Sequence, residues 1–307
     1  MIKKDIILVT GCCGFIGSHL CKRLIKNFKI IGVDNETIGS KKNIFQLLKF
    51  KNFTYLKSDL NSTKLKEKIK NVNIIYHLAA VKLNDSSDNI SLIKKNNVNS
   101  IKNLLKIINV KKIKKIIFTS SLYVYDKKNK KKIEFHKCKP YTNYGKSKLF
   151  GEKIFKTFVK NKKIQLVIFR LFFTFGLNQY SGQGYPSVIY KTLKKIILNK
   201  SPIIKNDGSQ QLDYTHVDDV TRALIAPLHK KSSGTYNISS GKGISINNLI
   251  KKILMITKSR LKPLYFGCDT TKNTVKIGSN KKIFKTFKWK PKIKLDYGIK
   301  KIFNSLK

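Results

Sequence analysis

The sequence predicts an α/β protein: a doubly wound parallel sheet followed by a smaller mixed α/β C-terminal domain. Over the first 170 residues, short runs of β-branched residues alternate with longer segments of helical periodicity. The short runs are continuously apolar, which indicates strands covered by helices on both faces, as in a parallel sheet. Right-handed crossovers between such strands produce the doubly wound arrangement.

The individual elements follow from this alternation. Buried strands are predicted at residues 6–10, 30–33, 74–78, 116–119 and 166–169. Helices are predicted between them at residues 16–25, 98–108 and 144–158. The lysine-rich segment 127–132 is predicted to be a solvated loop.

The alternation of short apolar runs with helical segments ends after Arg170, where the second domain is predicted to begin. An irregular stretch is marked by Gly176, Gly182, Gly184 and Pro186. Shorter elements follow, and Ser245 has the position of an N-cap for a helix. We therefore predict a first domain at 1–170 and a second at 171–307, with a segment at about 211–240 that can return to pack on the first.

The composition favours a folded core. Apolar residues make up 41% of the chain and aromatic residues 10%, which excludes wholesale disorder. No apolar run approaches the ~18–20 residues that a transmembrane helix needs, so no membrane span is predicted. The residues before Gly11 are predicted to form a first strand rather than a signal peptide.

The net charge of +49 comes from 65 basic and 16 acidic residues. Such an excess is typical of proteins that bind nucleic acid or anionic membranes. Only four of the basic residues are arginine: Arg23, Arg170, Arg222 and Arg260. Nucleic-acid readers favour arginine for bidentate contacts, and here the lysines are scattered along the chain. We therefore attribute the charge to compositional bias and expect no nucleic-acid partner, although a non-catalytic protein that binds a polyanion stays an alternative.

The cysteines indicate a reducing compartment. They form no CxxC pair and no metal-ligand spacing with the five histidines. The five are Cys12, Cys13, Cys21, Cys138 and Cys268. An odd count without a disulfide framework favours the cytoplasm, and no metal site is predicted.

A glycine-rich segment lies between the first strand and the first helix. Gly11, Gly14 and Gly17 are spaced three and three, a variant of the dinucleotide-binding fingerprint of Rossmann-type domains. The glycines allow a tight turn and a close approach of the backbone to a pyrophosphate, which then lies at the positive end of the helix dipole. Its place between a strand and a helix makes this motif specific.

Two aspartates end the second and third predicted strands. Asp34 can accept hydrogen bonds from ribose hydroxyls and would repel a 2′-phosphate, which favours NAD over NADP. The alternative for Asp34 is a loop-capping role before Asn35. Asp59, followed by Leu60, can reach the adenine edge, and a simple turn role is nearly as good an interpretation.

Tyr144 and Lys148 are four residues apart on a predicted helix and share one face. A lysine ammonium near a phenol, together with a cationic nicotinamide, lowers the pKa of the phenol from ~10 toward neutrality, so Tyr144 can act as a general base toward a sugar or alcohol hydroxyl. The spacing alone is weak, because about three such pairs are expected by chance at this lysine content. The chain has four: Tyr123/Lys127, Tyr144/Lys148, Tyr190/Lys194 and Tyr297/Lys301. Only Tyr144 begins a long amphipathic helix some distance after the strand-end cluster 119–121.

The ordered set of motifs resembles the extended short-chain dehydrogenase/reductase family, in its nucleotide-sugar epimerase/dehydratase branch. The motifs are TGCCGFIGSHL, VDN, SDL, HLAA, NVNSIKNLL, SSLYVYD, YTNYGKSKLFGE, RLFFTFG, DGSQQLDYTHVDDV and FKWKPKI, and they span essentially the whole chain. The resemblance implies a Rossmann-type NAD domain and a smaller C-terminal domain that binds a nucleoside-diphosphate sugar. It also implies a homodimer through a four-helix contact that includes the Tyr144 helix.

The resemblance implies roles for particular residues. Ser121 matches the residue that hydrogen-bonds the reacting oxygen, Tyr144 the base and Lys148 its partner, which also holds the nicotinamide ribose. The implied NAD contacts are Gly11, Gly14, Phe15, Ile16, Gly17, Asp34, Asn35, Asp59, Leu60, Leu78, Ala79, Ala80, Asn97, Tyr144 and Lys148. His77 and His216 are interpreted as structural histidines.

The two residues after Ser121 narrow the choice of reaction. Dehydratases of this family place an acid and a base carboxylate at these positions, which here are Leu122 and Tyr123. The resemblance is strongest to UDP-glucose 4-epimerases, so C4 epimerisation through a transient 4-keto sugar is the leading hypothesis, with an NAD(P)-dependent keto-sugar reductase as the alternative. On the substrate side, Phe173 replaces an asparagine and Leu212 an arginine that contact the nucleotide sugar in the family.

Overall fold

The computed structural model describes residues 3–81, 89–128, 131–179, 186–267 and 274–307. Gly182, Gly184 and Cys268 lie outside these residues. The strands are β1 (Lys3–Thr10), β2 (Phe28–Asp34), β3 (Phe53–Lys57), β4 (Ile74–His77), β5 (Lys115–Ser121), β6 (Lys131–Lys132), β7 (Gln165–Leu171), β8 (Phe173–Phe175), β9 (Ile203–Lys205), β10 (Gln211–Leu212), β11 (Tyr214–His216), β12 (Gly234–Ile238), β13 (Ile244–Ser245), β14 (Leu264–Phe266) and β15 (Val275–Gly278). The helices are α1 (Phe15–Leu24), α2 (Lys66–Ile69), α3 (Ile90–Lys94), α4 (Ser100–Ile107), α5 (Asn143–Val159), α6 (Val188–Ile197), α7 (Val217–Ile225), α8 (Ile246–Thr257), α9 (Lys281–Phe287) and α10 (Leu295–Leu306).

Seven strands form one parallel sheet in the order β12-β7-β5-β4-β1-β2-β3. The order reverses between β1 and β4, because the chain passes outward to β2 and β3 before it returns to β4. Ligands of doubly wound sheets bind in the crevice at such a reversal, beyond the carboxyl ends of the strands. The predicted fold class is confirmed.

Helices cover both faces of this sheet, which explains why its strands are continuously apolar. One face packs α1, α7 and α9 against the strands, through residues that include Leu20, Val220 and Ile283. The other face packs α2, α4 and α5, through residues that include Ile69, Leu104 and Phe155. The two apolar layers fix the sheet between helices, so its carboxyl-end loops meet at one edge.

The C-terminal half forms a smaller apolar cluster around α6, α8 and α10. Short strands accompany it, including a four-stranded sheet in the order β13-β10-β15-β6. The chain also returns to the large sheet, because β12 pairs with β7 as an edge strand. The buried Asp213 carboxylate links the two parts by accepting hydrogen bonds from the backbone N–H groups of Ser240, Gly241 and Gly278. The division of the chain at residue 170 stays a prediction.

Two local predictions from the sequence, the N-cap at Ser245 and the solvated loop at 127–132, have different outcomes. The Ser245 side chain accepts a hydrogen bond from the Asn248 backbone N–H at 3.2 Å, so the predicted N-cap of α8 is confirmed. The prediction of a solvated loop at 127–132 was wrong at its end. Lys131 and Lys132 form β6, and Lys132 is only 3% exposed because β6 pairs with β15. Among the described residues, no helix is long and apolar enough to cross a membrane.

Candidate active site

The glycine-rich loop connects β1 directly to α1 at the reversal of the sheet. Gly11 has φ +73°, and a Cβ atom there would lie 2.8 Å from the backbone nitrogen of Ala79. A Cβ on Gly17 would lie 2.0 Å from the Gly11 carbonyl oxygen, so the helix can approach the loop only with glycine at this position. The first turn of α1 follows at Phe15, where free N–H groups face the crevice, as in helix N-termini that bind phosphate.

Asp34 shapes this loop from the end of β2. Its carboxylate accepts hydrogen bonds from the backbone N–H groups of Cys13 at 2.9 Å and Glu36 at 2.8 Å. Burial raises the pKa of Asp34, and these two hydrogen bonds lower it in part. The loop-capping role considered for Asp34 is therefore present. Each carboxylate oxygen has further acceptor capacity, so a ribose contact is compatible with it.

The expected adenine-side residues lie next to Asp34. Asn35 donates a side-chain hydrogen bond to Asp59 at 3.4 Å, so the two loops after β2 and β3 are joined. The Asp59 carboxylate also accepts from the backbone and side chain of Asn61, both at 2.8 Å. The turn role of Asp59 is thus present, and Leu60 beside it is 7% exposed.

The opposite wall of the crevice is the segment after β4. The Thr10 hydroxyl accepts a hydrogen bond from the Ala79 backbone N–H at 3.3 Å, which ties this segment to the end of β1. Asn97 holds its far end, because its side chain accepts from the Val81 N–H at 2.8 Å and donates to the Val81 carbonyl at 2.9 Å. The same amide donates to the Ser147 hydroxyl on α5 at 3.1 Å. Asn97 is 3% exposed and acts as a clamp between this wall and α5.

The three predicted catalytic residues meet at the end of β5. Ser121 is the last residue of β5, and Tyr144 and Lys148 lie on the first two turns of α5. The buried Lys148 ammonium donates a hydrogen bond to the Thr119 carbonyl at 2.9 Å and lies 5.9 Å from the centroid of the Tyr144 ring. Burial raises the pKa of Tyr144, and a side-chain hydrogen bond with Ser121 opposes that rise.

Comparison with known proteins identifies the family to which this chain belongs. The model of the NAD-dependent epimerase/dehydratase family matches residues 7–239. The chain belongs to the NAD-dependent epimerase/dehydratase family. A putative UDP-glucose 4-epimerase of Methanocaldococcus jannaschii is 34% identical over 308 residues, 98% of each chain. A dTDP-D-glucose 4,6-dehydratase of Dictyostelium discoideum is 30% identical over 82% of this chain and 62% of its own length.

Solved structures of epimerases share the fold over the whole chain. A UDP-N-acetylglucosamine 4-epimerase from Methanobrevibacter ruminantium, in complex with UDP-N-acetylmuramic acid, superposes with a TM-score of 0.91 at 27% identity, covering 100% of this chain and 99% of that one. A UDP-glucuronic acid 4-epimerase from Bacillus cereus, in complex with UDP-glucuronic acid and NAD, gives 0.88 at 26% identity, covering 97% and 98%.

This epimerase/dehydratase family member is an enzyme, and NAD is its cofactor. The residues present fit that cofactor. The loop at Gly11 and Gly17 leaves no room for a Cβ atom, as expected where a backbone approaches a pyrophosphate. The Asp34 carboxylate ends β2, where an acidic residue can bind ribose hydroxyls.

The protein alone does not lower the pKa of Tyr144, and the predicted lowering, which includes a nicotinamide charge, stays a prediction. Burial raises the pKa of Tyr144 to about 12, and the Ser121 side chain opposes this rise. Burial lowers the pKa of Lys148 to about 7, although the Glu152 carboxylate raises it. Removal of both groups from water favours their neutral forms. A positive charge beside the phenol would favour the ionised form of Tyr144.

Behind the catalytic residues lies a buried ion pair that the sequence analysis missed. Glu152 is 0% exposed and receives a bidentate contact from Arg170, at 2.9 Å from Nε and 2.8 Å from Nη2. The Ser120 hydroxyl donates to the same carboxylate at 2.6 Å. Glu152 follows Lys148 by four residues, so Tyr144, Lys148 and Glu152 form one stripe along α5. That repeated spacing is a sequence signal that could have found it.

The two histidines set aside in the sequence analysis are structural, but each keeps one ring nitrogen unpaired among the described residues. His77 shares a hydrogen bond with the Thr10 hydroxyl at 3.0 Å, and burial lowers the pKa of its imidazole to about 3. His216 caps α7 through Asp218, whose backbone N–H donates to the ring at 3.2 Å. The ring of His77 stays neutral near Lys148, where a second positive charge would be unfavourable.

One thiol cluster lies beneath the glycine-rich loop. The sulfur atoms of Cys12 and Cys13 and a carboxylate oxygen of Asp34 lie within 4.8 Å of one another, a set of atoms that could in principle hold a metal ion. Hydrogen bonding to Cys13 and burial raise the pKa of the Cys12 thiol far above its usual range. The raised pKa favours the neutral thiol, whereas metal ligation requires the thiolate. The absence of a metal stays a prediction.

Asp34→Ala tests the role of the carboxylate at the end of β2. We expect the ratio of NAD to NADP affinity to fall by about tenfold or more, because the repulsion of a 2′-phosphate and the ribose hydrogen bonds are both lost. The affinities are measured by calorimetric titration of each cofactor. The control is Asp5→Ala, a half-buried carboxylate on β1 that is paired with the exposed Lys114. An unchanged ratio would leave Asp34 with its loop-capping role only.

Glu152→Gln tests the electrostatic effect of the Glu152 carboxylate on the pKa of Lys148. The carboxylate raises the pKa of Lys148, so its loss lets that pKa fall below about 7. Lys148 is then deprotonated at lower pH, and we expect the alkaline limb of the kcat profile to move to lower pH. Arg170→Lys is the control, because it disturbs the same buried pair but keeps the Glu152 charge. If the alkaline limb of the kcat profile moved equally in both variants, Glu152 would have a structural role only.

Proposed function

We propose that the protein catalyses the C4 epimerisation of a nucleoside-diphosphate sugar through a transient 4-keto intermediate. The observation that carries the proposal is the convergence of Ser121, Tyr144 and Lys148 at the carboxyl end of β5, beside the NAD crevice. The putative UDP-glucose 4-epimerase and the two solved epimerase structures named above carry UDP-sugars in their descriptions, and the dehydratase carries a dTDP-sugar, which supports a nucleoside-diphosphate sugar as the substrate class here.

Epimerisation is favoured over dehydration by the two residues after Ser121. Elimination of water needs one group to donate a proton and another to remove one from carbon. Leu122 can do neither, and its side chain is packed in an apolar cluster with Val124 and Phe172. Tyr123 offers a phenol rather than a carboxylate at the next position. Among acid and base groups, epimerisation needs only Tyr144, which carries the proton from and to the C4 oxygen.

In the proposed reaction, the Tyr144 oxygen accepts the proton of the C4 hydroxyl and later returns it to the C4 oxygen. NAD, when bound, would take up the hydride from C4, return it to the opposite face of the keto sugar and supply a positive charge beside the phenol. Ser121 donates a hydrogen bond to the C4 oxygen, and Lys148 opposes the negative charge of the phenolate. Inversion requires the planar keto sugar to present its opposite face before reduction.

The proposed NAD site extends from the glycine-rich loop to α5. Asn97 holds the segment after β4 in place and joins it to Ser147, so the cofactor wall and the catalytic helix are fixed relative to each other. The remaining proposed contacts are Gly11, Gly14, Phe15, Ile16, Gly17, Asp34, Asn35, Asp59, Leu60, Leu78, Ala79, Ala80, Tyr144 and Lys148.

The test is product analysis by proton NMR. Purified protein with NAD is incubated with UDP-, dTDP-, CDP- and GDP-sugars, each as the gluco and the galacto epimer. We expect one pair to interconvert toward the same equilibrium mixture from both sides. Conversion of a 4-keto sugar with consumption of reduced cofactor, and no interconversion of epimers, would replace the proposal with a keto-sugar reductase.

Tyr144→Phe is the matched variant for this assay. It removes the proton carrier, so we expect NAD binding to persist and turnover to fall by about 10²–10⁴-fold. Tyr297→Phe is the control, because Tyr297 is exposed and also faces a lysine four residues away, with the Lys301 ammonium 4.9 Å from its ring centroid. Full activity of Tyr144→Phe would contradict the proposed mechanism.

We further propose a homodimer in which α4 and α5 of one protomer pack against the same helices of its partner. Phe150 on α5 is 45% exposed and has the Lys102 ammonium from α4 at 5.8 Å from its ring centroid. An exposed apolar side chain on α5, next to α4, suits an interface between the helices of two protomers. We expect Phe150→Glu to give a monomer by analytical ultracentrifugation where the unchanged chain gives a dimer. A monomer in both would contradict the dimer.

A further inference from the structure

A half-buried lysine, Lys276, lies on the substrate side of Tyr144. β10 and β15 run parallel, with Leu212 in register with Lys276. Side chains in register on neighbouring strands leave the same face of a sheet. Lys276 therefore projects from the same face as Leu212, which packs in the apolar cluster of the C-terminal half with Phe175 and Tyr214.

The Lys276 ammonium is directed along this face toward the catalytic residues. Its Nζ lies 5.5 Å from the centroid of the Tyr123 ring. The Tyr123 ring is packed edge-on against the Tyr144 ring, with their centroids 6.1 Å apart and an interplanar angle of 75°. The ammonium and the two rings thus form one row that ends at the proposed base.

Aromatic and aliphatic surface surrounds this row. Phe173 lies 5.7 Å from Tyr214 between ring centroids, and it also packs with Tyr123 against the apolar cluster that contains Leu122. A cation held on such a surface is partly removed from water. Charge interactions made there are stronger than in bulk water, because the local dielectric constant is lower.

We propose that Lys276 binds a negatively charged oxygen of the substrate and makes the pocket selective for an anionic group on the side facing β15. The inference rests on the proposed function and names the group that recognises its substrate. Two parts of a nucleoside-diphosphate sugar share this chemistry, the diphosphate and a carboxylate on the sugar ring. An ammonium is a point charge that suits either group.

Binding is measured apart from turnover. The NAD-loaded protein and its Lys276→Met variant are titrated calorimetrically with UDP, UDP-glucose and UDP-glucuronate. We expect binding to weaken about tenfold or more wherever the ammonium contacts the ligand, because one charge-assisted hydrogen bond is lost. Lys276→Arg keeps the charge and should restore most of the affinity.

The pattern across the three ligands identifies the anionic group. Weaker binding of all three ligands assigns Lys276 to the diphosphate, and weaker binding of UDP-glucuronate alone assigns it to the sugar carboxylate. Equal dissociation constants for the variant and the unchanged protein overturn the inference. So does a failure of the unchanged protein to bind any of the three.

Lys131→Met is the matched control. It removes the same charge from β6, which pairs with β15 in the same sheet, but Lys131 is exposed. An equal loss of affinity in Lys131→Met would assign the effect to overall charge and would also overturn the inference. If ligands bind and Lys276→Met weakens them, but no epimer forms, then the proposed function fails while the role of Lys276 stands.

Discussion

The close contact between α5 and the end of β5 is the constraint on which the proposed site depends. Lys148 donates its hydrogen bond to the Thr119 carbonyl, and the Ser120 hydroxyl donates to Glu152 two turns after Tyr144. The helix can come this close because position 145 is glycine, where a Cβ atom would lie 2.2 Å from the Tyr123 carbonyl oxygen. A looser junction would leave Tyr144 away from Ser121, and the two could not hold one substrate oxygen between them.

The same junction has an electrostatic cost that explains the neighbouring ion pair. A buried ammonium loses its hydration, and the Thr119 carbonyl replaces only part of it. Glu152 lies one turn further along α5, and this fully buried carboxylate accepts hydrogen bonds from Arg170 and Ser120. The alternating signs of Lys148, Glu152 and Arg170 reduce the cost that each charge would carry alone. Removal of Glu152 would leave Lys148 and Arg170 without this carboxylate.

The sequence predicted the parts of the site that local pattern controls. The glycine spacing, the acidic end of β2 and the Tyr144/Lys148 pair all follow from positions next to one strand or within one helix. Asn97 was placed near the cofactor, but its clamp on Val81 and Ser147 depends on how three separate segments pack together. The lowered pKa of Tyr144 includes the charge of a bound nicotinamide and stays a prediction. In the protein alone burial raises this pKa, and spacing does not show how much water a group loses.

Arginine and lysine are used differently in this chain, and this bears on the net charge of +49. Three of the four arginines form ion pairs with carboxylates, Arg23 with Asp218, Arg170 with Glu152 and Arg222 with Asp219. A guanidinium offers a planar fork that a lysine cannot replace at a bidentate contact. The Arg170 guanidinium makes such a bidentate contact inside the fold, Arg23 and Arg222 are half-buried in their ion pairs, and lysine supplies most of the other positive charges. Nucleic-acid readers use arginines for bidentate base and phosphate contacts, and three of the four arginines here are bound to carboxylates of the protein itself, so a compositional origin of the charge stays our interpretation.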